Sequence, residues 1–214
     1  MSVQPEVTRL RQQHGKAAAG CLTRAFLPDP LWLALLPDAG VREKQLTGKL
    51  RATVRTAVHG GLPLATPGLT GVAVWQPPRR PALRSMLRTG FPTERWLLSL
   101  PAPERRRVAA VFRRLSERRE ALMPSPFWYL EAIGVEPTHQ GRGLGGALLR
   151  DGLTRADEAG LPAYLETEAE SLVSMFSHVG FRVLQEVHVP EVRVPLWLMR
   201  REPVQHPQIH YEQI

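Results

Sequence analysis

The sequence predicts an α/β protein in which helices flank a mixed, mostly antiparallel sheet. An apolar segment at 127–135 is followed by a glycine-rich turn, a helical pattern and a second apolar segment at 163–167, as in two parallel strands joined by a helix. Segments at 62–66 and 70–75 flank a proline-glycine turn, which is typical of a hairpin. Helical spacing of apolar residues over 41–59 supplies one of the flanking helices.

The remaining elements follow in chain order from local periodicity and turn residues. Before the hairpin we expect a short strand at 7–10, a helix within 12–26 and a compact apolar segment at 31–36. Between the hairpin and the next strand, the pattern predicts a helical insertion with segments at 81–89, 93–100 and 103–122. After 163–167 it predicts a short helix at 171–179 and an antiparallel pair at 181–189 and 196–200.

Length and composition limit the kind of protein. A chain of 214 residues with 43% hydrophobic and 22% charged residues fits one folded domain. We find neither an apolar run of membrane length nor a secretory signal, so no membrane partner is expected. The single cysteine, Cys21, cannot form an internal disulfide. These features predict a cytoplasmic protein.

The net charge of +8 raises the question of nucleic-acid binding. Only three of the 28 basic residues are lysines, and the arginines are densest over 105–119. Apolar residues of that segment fall on one helical face, so its arginines are expected on a solvated outer face: Arg105, Arg106, Arg107, Arg113, Arg114, Arg118 and Arg119. Aromatic residues interleaved for base stacking are absent. We therefore expect no nucleic-acid partner.

The turn at 140–146 is the strongest functional signal, because glycines let backbone amides at a helix start approach a phosphate. A nucleotide P-loop is excluded, since no lysine follows Lys49. The dinucleotide pattern G-x-G-x-x-G is present, with Glu166 about 20 residues on. It is interpreted as accidental, because five residues including a proline separate the strand from its first glycine. The third pattern, Q-x-x-G-x-G, is satisfied by Gln140, Gly143 and Gly145.

This third pattern resembles motif A of the GNAT superfamily of acyl-CoA-dependent N-acyltransferases, whose loop holds the coenzyme A pyrophosphate. The strings WYLEAIGVEPTHQGRGLG, AGLPAYLET, FSHVGF and LWLMRREP resemble consecutive landmarks of its catalytic half. GVAVWQPP at 71–78 and AFLPDP at 25–30 are similar to strings of the puromycin N-acetyltransferase-like subgroup. The resemblance implies one domain, divided into an N-terminal part (1–78), the insertion (79–124), a coenzyme-binding half (125–202) and a tail (203–214).

The resemblance also implies an activity, the transfer of an acetyl group from acetyl-CoA directly to a primary amine of a small molecule in a ternary complex. Acetyl-CoA and the amine are the expected partners, no metal is expected, and a homodimer is left open. The implied coenzyme contacts are Ile133, Gly134, Val135, Gln140, Gly141, Arg142, Gly143, Leu144, Gly145, Gly146 and Phe176. Because Cys21 is far from these motifs in sequence, we expect no acyl-cysteine intermediate.

Glu131 is the leading candidate for the base that deprotonates the amine. It shares strand parity with Ile133 and Val135, which predicts the same layer, and apolar surroundings are expected to raise its pKa. The alternative is a structural salt bridge with an arginine. Tyr129 is a candidate proton relay or a packing residue, and Glu166 is a second candidate base or a structural residue.

The sequence departs from the family at the position that protonates the departing thiolate. Where the family has asparagine, tyrosine and glycine at four-residue intervals, this chain has Leu172, Phe176 and Gly180. A thiol of pKa about 8.5 is a fair leaving group without assistance, so we predict a slower or differently assisted enzyme. The alternative is a catalytically silent acyl-CoA-binding or interaction module.

Overall fold

The computed structural model describes residues 5–78, 92–124 and 126–204. Within these ranges, seven strands form one sheet in the order β1-β2-β3-β4-β5-β7-β6. The strands are β1 (Thr8–Arg9), β2 (Leu62–Ala65), β3 (Gly71–Gln76), β4 (Trp128–Val135), β5 (Ala163–Thr167), β6 (Arg182–His188) and β7 (Pro195–Arg201). β4 and β5 are parallel, and the other neighbours are antiparallel. The mixed, mostly antiparallel sheet is therefore confirmed.

The helices described in these ranges follow the predicted periodicity. They are α1 (Gly15–Phe26), α2 (Pro30–Leu35), α3 (Ala39–Gly60), α4 (Pro92–Ser99), α5 (Ala102–Leu122), α6 (Leu144–Glu158) and α7 (Glu170–His178). α4 and α5 confirm two helical segments of the insertion, whereas the segment predicted at 81–89 lies outside the described residues. None of the described helices combines the length and apolar character needed to cross a membrane.

The helices cover both faces of the sheet and produce two apolar cores. One core lies on the side of α1, α3 and α5 and contains Leu22, Leu46 and Val111. The second lies on the side of α6 and α7, where Trp75 is fully buried. Gly152 of α6 packs directly on Trp75, because a Cβ at this glycine would lie 2.2 Å from the indole nitrogen. This contact seats α6, the helix that follows the glycine-rich turn, closely against the sheet.

The sheet opens between β4 and β5. The two strands pair only where Trp128 faces Ala163 and Tyr129 faces Tyr164. β4 continues to Val135 and β5 to Thr167 without further pairing between them. This opening leaves the β5-facing edge of β4 accessible beyond Tyr129.

A β-bulge at Glu131 changes which way the side chains of β4 point. Trp75 pairs with Leu130 and Val74 pairs with Ala132, so Glu131 has no partner on β3. Glu131 contacts α3 on the side of the first core, which also contains Ala132, whereas Ile133 packs in the second core. The prediction that Glu131 shares a layer with Ile133 is wrong, because the extra residue reverses the alternation.

Candidate active site

The glycine-rich turn joins the end of β4 to the start of α6. Gly141 and Gly143 have φ values of 76° and 75°, in the left-handed region that favours glycine, and Gly143 is the N-cap of α6. The first intrahelical bond runs from the Ala147 amide to the Gly143 carbonyl at 3.0 Å. The amides of residues 144–146 thus precede the hydrogen-bonded helix, at the end where its dipole is positive. This geometry fits an anionic ligand.

The surroundings of this turn are open on the ligand side and held on the protein side. A Cβ added at Gly141 or Gly143 would meet no atom within 4 Å, so the backbone conformation, and not crowding, requires glycine there. The Gln140 side chain donates to the Val135 carbonyl at 3.2 Å, and Arg142 donates to the Thr138 carbonyl at 3.3 Å. The first bond ties the turn to the end of β4, and the second ties it to the short segment that follows the strand.

Cys21 is brought close to this turn by the fold, although it is distant in sequence. α1 packs on β4, since a Cβ at Gly134 would lie 2.7 Å from the Ala25 methyl group. Burial and the neighbouring Glu136 carboxylate raise the pKa of the Cys21 thiol to about 12. A neutral thiol of this kind is a poor nucleophile, and the absence of an acyl-cysteine intermediate stays a prediction.

A cavity of about 290 Å³ occupies the opening between β4 and β5. Its walls contain residues of both cores, so the cavity passes through the sheet. On the first side it is lined by Phe26, Leu31, Trp32, Leu50, Phe112 and Leu115. On the second side it is lined by Leu130, Ile133, Leu165 and Phe176. Charged groups from β4 and β5, with their partners from α3 and α5, lie between these apolar walls.

Glu131 lies at the α3 side of the cavity and is saturated with hydrogen bonds. Its Oε1 accepts from Lys49 Nζ at 3.1 Å and from the Thr53 hydroxyl at 2.9 Å, and its Oε2 accepts from Gln76 at 2.7 Å. Burial acts to raise the pKa of Glu131, but the Lys49 charge and these bonds outweigh it, so the pKa lies below its ordinary value of 4.5. The expectation of a raised pKa is wrong. The salt bridge that the sequence offered as an alternative is present, with a lysine in place of an arginine.

Glu166 lies across the opening on β5. Its Oε1 accepts from Arg119 at 3.1 Å, and its Oε2 accepts from the Tyr129 hydroxyl at 2.7 Å. Burial raises the pKa of Glu166 above the ordinary 4.5, and the opposing effects of Arg119 and Tyr129 do not cancel it. Burial also raises the pKa of Tyr129, which keeps the phenol neutral and able to donate. Glu166 therefore has the pKa shift that the sequence analysis assigned to Glu131.

The position that should protonate the thiolate is apolar in the structure. Phe176 is 3% exposed, packs edge-to-face on Phe181 with 5.9 Å between ring centroids, and lines the cavity together with Leu172. Ser174 and His178, the polar side chains two residues on either side of Phe176, are exposed and do not line the cavity. α7 therefore provides no hydroxyl or imidazole donor at this wall.

Three important residues of the cavity were missed or misplaced by the sequence analysis. Lys49 and Phe112 were not assigned to the site, because each comes from a helix whose position depends on tertiary packing. Arg119 was expected on a solvated outer face, and this expectation is wrong. Its guanidinium turns inward, 4.6 Å from the centre of the Tyr129 ring. Apolar spacing assigns the faces of a helix, but it cannot show that one arginine forms an ion pair with a buried carboxylate of a distant strand, as Arg119 does with Glu166.

The opening between β4 and β5, the glycine-rich turn and the cavity that connects the two faces of the sheet fit an acyltransferase fold. Comparison with known proteins makes this assignment specific. The chain belongs to the GNAT family of acetyltransferases, whose family model matches residues 74–181. Its class is that of an N-acetyltransferase.

Two kinds of relatives agree with this assignment. An uncharacterized N-acetyltransferase of Schizosaccharomyces pombe is 28% identical over 207 residues, which make up 91% of this chain and 82% of the relative. A solved histone acetyltransferase and related acetyltransferase of Corynebacterium glutamicum has a TM-score of 0.62 at 21% identity, covering 96% of this chain and 99% of its own. Arylalkylamine N-acetyltransferase 2 of Aedes aegypti has a TM-score of 0.63 at 11% identity, with coverages of 94% and 99%. At these identities the structural neighbours show the fold.

Proposed function

We propose that this protein transfers the acetyl group of acetyl-CoA directly to a primary amine of a small molecule, with both substrates bound at once. The observation that carries the proposal is the cavity at the β4–β5 opening. It is lined by a buried carboxylate with a raised pKa, and the strand on one side of it continues into the anion-binding turn. Amine chemistry and coenzyme binding can therefore take place at one opening, with the base on β5 and the coenzyme along β4.

The coenzyme is proposed to lie along β4 and across the turn. Beyond Tyr129 the edge of β4 that faces β5 has no strand partner there, so backbone groups of this edge other than the Val135 carbonyl, which accepts from Gln140, are available to an extended acyl chain. The amides of residues 140–146 would hold the pyrophosphate, because the open left-handed glycines and the helix dipole suit an anion. Phe176 would contact the chain through apolar surface.

Glu166 is proposed to accept the proton that the ammonium must lose before it reacts. A base works best when its pKa is close to the working pH, and burial moves Glu166 in that direction. Attack of the neutral amine on the thioester carbonyl forms the C–N bond, collapse of the tetrahedral intermediate breaks the C–S bond, and the nitrogen loses its second proton to solvent as the thiolate leaves. With Phe176 in place of a hydroxyl, we propose that solvent protonates the thiolate.

Tyr129 and Glu131 are proposed to have supporting roles in this cavity. The Tyr129 hydroxyl holds the Glu166 carboxylate from one side while Arg119 holds it from the other. Glu131 keeps its negative charge because Lys49, Thr53 and Gln76 bind its oxygens. A fixed carboxylate beside the amine site would orient an incoming ammonium.

The coenzyme loop gives a direct test with a matched control. Gly143 and Gly160 are both left-handed, at φ values of 75° and 62°, both open to solvent, and located at opposite ends of α6. Valine at either position costs about 1–2 kcal/mol of backbone strain. We expect Gly143→Val to weaken acetyl-CoA binding, measured calorimetrically, at least tenfold, and Gly160→Val to leave it within about twofold.

Thiol release from acetyl-CoA over a panel of amines completes this test. We expect wild-type protein to release thiol with at least one primary amine and Gly143→Val to need much more coenzyme. Tight coenzyme binding with no thiol release from any amine would instead favour the silent acyl-CoA-binding module. Equal affinity of the two valine variants and wild type, with both folded, would overturn the assignment of the loop.

A further inference from the structure

The acceptor side of the cavity has a distinct chemical character, which limits the amine that it can bind. Helices α1, α2, α3 and α5 contribute apolar side chains to one wall of the cavity: Phe26, Leu31, Trp32, Leu50, Phe112 and Leu115. Among them, Trp32 lies edge-on to both Trp96 and Phe112, with ring centroids 6.2 and 6.0 Å apart, while Trp96 and Phe112 stack at 6.3 Å. Mutually packed rings of this kind hold a wall of defined shape.

The polar groups of the cavity are concentrated at the strand opening. Within residues 5–78, 92–124 and 126–204, five charged side chains line the cavity: Lys49, Arg119, Glu131, Glu166 and Glu168. These two cations and three carboxylates together carry a formal charge of −1. One bound ammonium would neutralise this charge. The internal cations are already bound, since Lys49 contacts Glu131 and Arg119 contacts Glu166.

A second charge on the acceptor would have to enter the apolar compartment. A charge moved from water into such surroundings without a partner costs several kcal/mol. A carboxylate beside the reacting amine would meet the net negative charge of the opening and internal cations that already have partners. A neutral aromatic or aliphatic body would instead fill the space between Phe112 and Leu50 and release water.

We propose that the acceptor is a monoamine, with its single ammonium at the β4–β5 opening and an uncharged aromatic or bulky aliphatic body against the wall of α2, α3 and α5. This inference rests on the proposed function and specifies its substrate class. Polyamines and amino acids with a free carboxylate are the classes that the cavity disfavours.

Three probe amines of similar length separate these classes. They are 2-phenylethylamine, putrescine as a dication, and phenylalanine as a zwitterion. We expect kcat/KM for thiol release from acetyl-CoA to be at least tenfold higher for 2-phenylethylamine than for either of the others. Amine binding to the protein saturated with coenzyme A, measured calorimetrically without turnover, should give the same order.

Variants of the aromatic wall sharpen the comparison. Phe112→Ala should lower the affinity for 2-phenylethylamine at least fivefold and leave that for putrescine within twofold, while Phe112→Leu retains most of the apolar surface and should lose less. Leu98→Ala is the control, because Leu98 is 70% exposed and does not line the cavity. If the Phe112→Ala variant fails to fold, the Phe112→Leu variant and the comparison of the three amines still test the monoamine assignment.

The outcomes distinguish this inference from the proposed function. Thiol release that is equal or faster with putrescine or phenylalanine overturns the monoamine assignment and leaves the acetyltransferase proposal standing. An absence of thiol release from every amine overturns both. Preference for 2-phenylethylamine that is lost in Phe112→Ala and retained in Leu98→Ala supports the assignment.

Discussion

Glu131 and Glu166 line the same cavity, each beside one internal cation, yet their pKa values move in opposite directions. The Glu131 side chain is 22% exposed and accepts hydrogen bonds from three side chains, whereas Glu166 is 10% exposed and accepts from two. A cation nearby does not by itself decide the charge of a carboxylate. Burial raises the pKa of both carboxylates; the Lys49 charge and the hydrogen bonds outweigh it at Glu131, whereas the Arg119 charge and the hydrogen bonds do not outweigh it at Glu166.

The comparison gives the two carboxylates different proposed roles. Glu131, whose negative charge is stabilised by Lys49, Gln76 and Thr53, stays charged and serves as a fixed electrostatic group. The more buried Glu166 holds a proton more tightly than an ordinary glutamate does, so it can take one from an amine and return it to solvent. Each role can be broken separately, because the two clusters share no hydrogen bond in the described part of the chain.

The largest expected effect comes from removing the base. Glu166→Gln keeps the shape of the side chain but cannot accept the proton, so kcat should fall by about 10² to 10⁴. Glu131→Gln, the matched control from the other cluster, should lower kcat less than about tenfold and act mainly on KM for the amine. Steady-state thiol release at saturating acetyl-CoA measures both. If kcat fell further in Glu131→Gln than in Glu166→Gln, Glu131 and not Glu166 would be the base.

The coenzyme half of the molecule could be predicted from sequence because its signals are local. The strand end at Val135, the turn at 140–146 and the helix that follows depend on proline, glycine and apolar spacing within about 25 residues. The roles of the coenzyme contacts stay predictions until ligand binding is measured.

The catalytic carboxylates could not be ranked from sequence because their environment is assembled from distant segments. Glu131 and Lys49 are 82 residues apart, and Glu166 and Arg119 are 47 apart. The prediction from strand parity that Glu131 and Ile133 share a layer was also wrong. The extra residue at the bulge reverses the side-chain alternation, and the apolar pattern of the sequence does not reveal the bulge. Candidate residues could be named, but their pKa values required the fold.

The next largest effect concerns stability at the Glu131 cluster. Lys49→Met leaves a largely buried carboxylate without its cation and should lower the free energy of unfolding at pH 7 by about 2 kcal/mol, since Thr53 and Gln76 still donate. Lys44→Met on the exposed part of the same helix is the control and should change it by less than about 0.5 kcal/mol. Urea unfolding followed by circular dichroism measures both.

The pH dependence of this loss identifies its origin. Because the folded pKa of Glu131 lies below 4.5, its pairing stabilises wild type above the unfolded pKa and is lost as pH falls through the folded value. The difference between wild type and Lys49→Met should therefore shrink as the pH is lowered below 4.5. A difference that stays constant with pH would mean that lost packing of the lysine chain, and not charge pairing, is responsible.

The smallest effect tests how Tyr129 acts on Glu166. Tyr129→Phe keeps the ring beneath the Arg119 guanidinium but removes a hydrogen bond to the carboxylate, so kcat should fall roughly three- to tenfold. That bond lowers the pKa of Glu166, and its loss should raise the pKa further. Activity requires the deprotonated carboxylate, so the rising limb of kcat/KM against pH should move to higher pH in the variant. If the limb stays in place while kcat falls, Tyr129 carries the proton itself, and Glu166 acts through it.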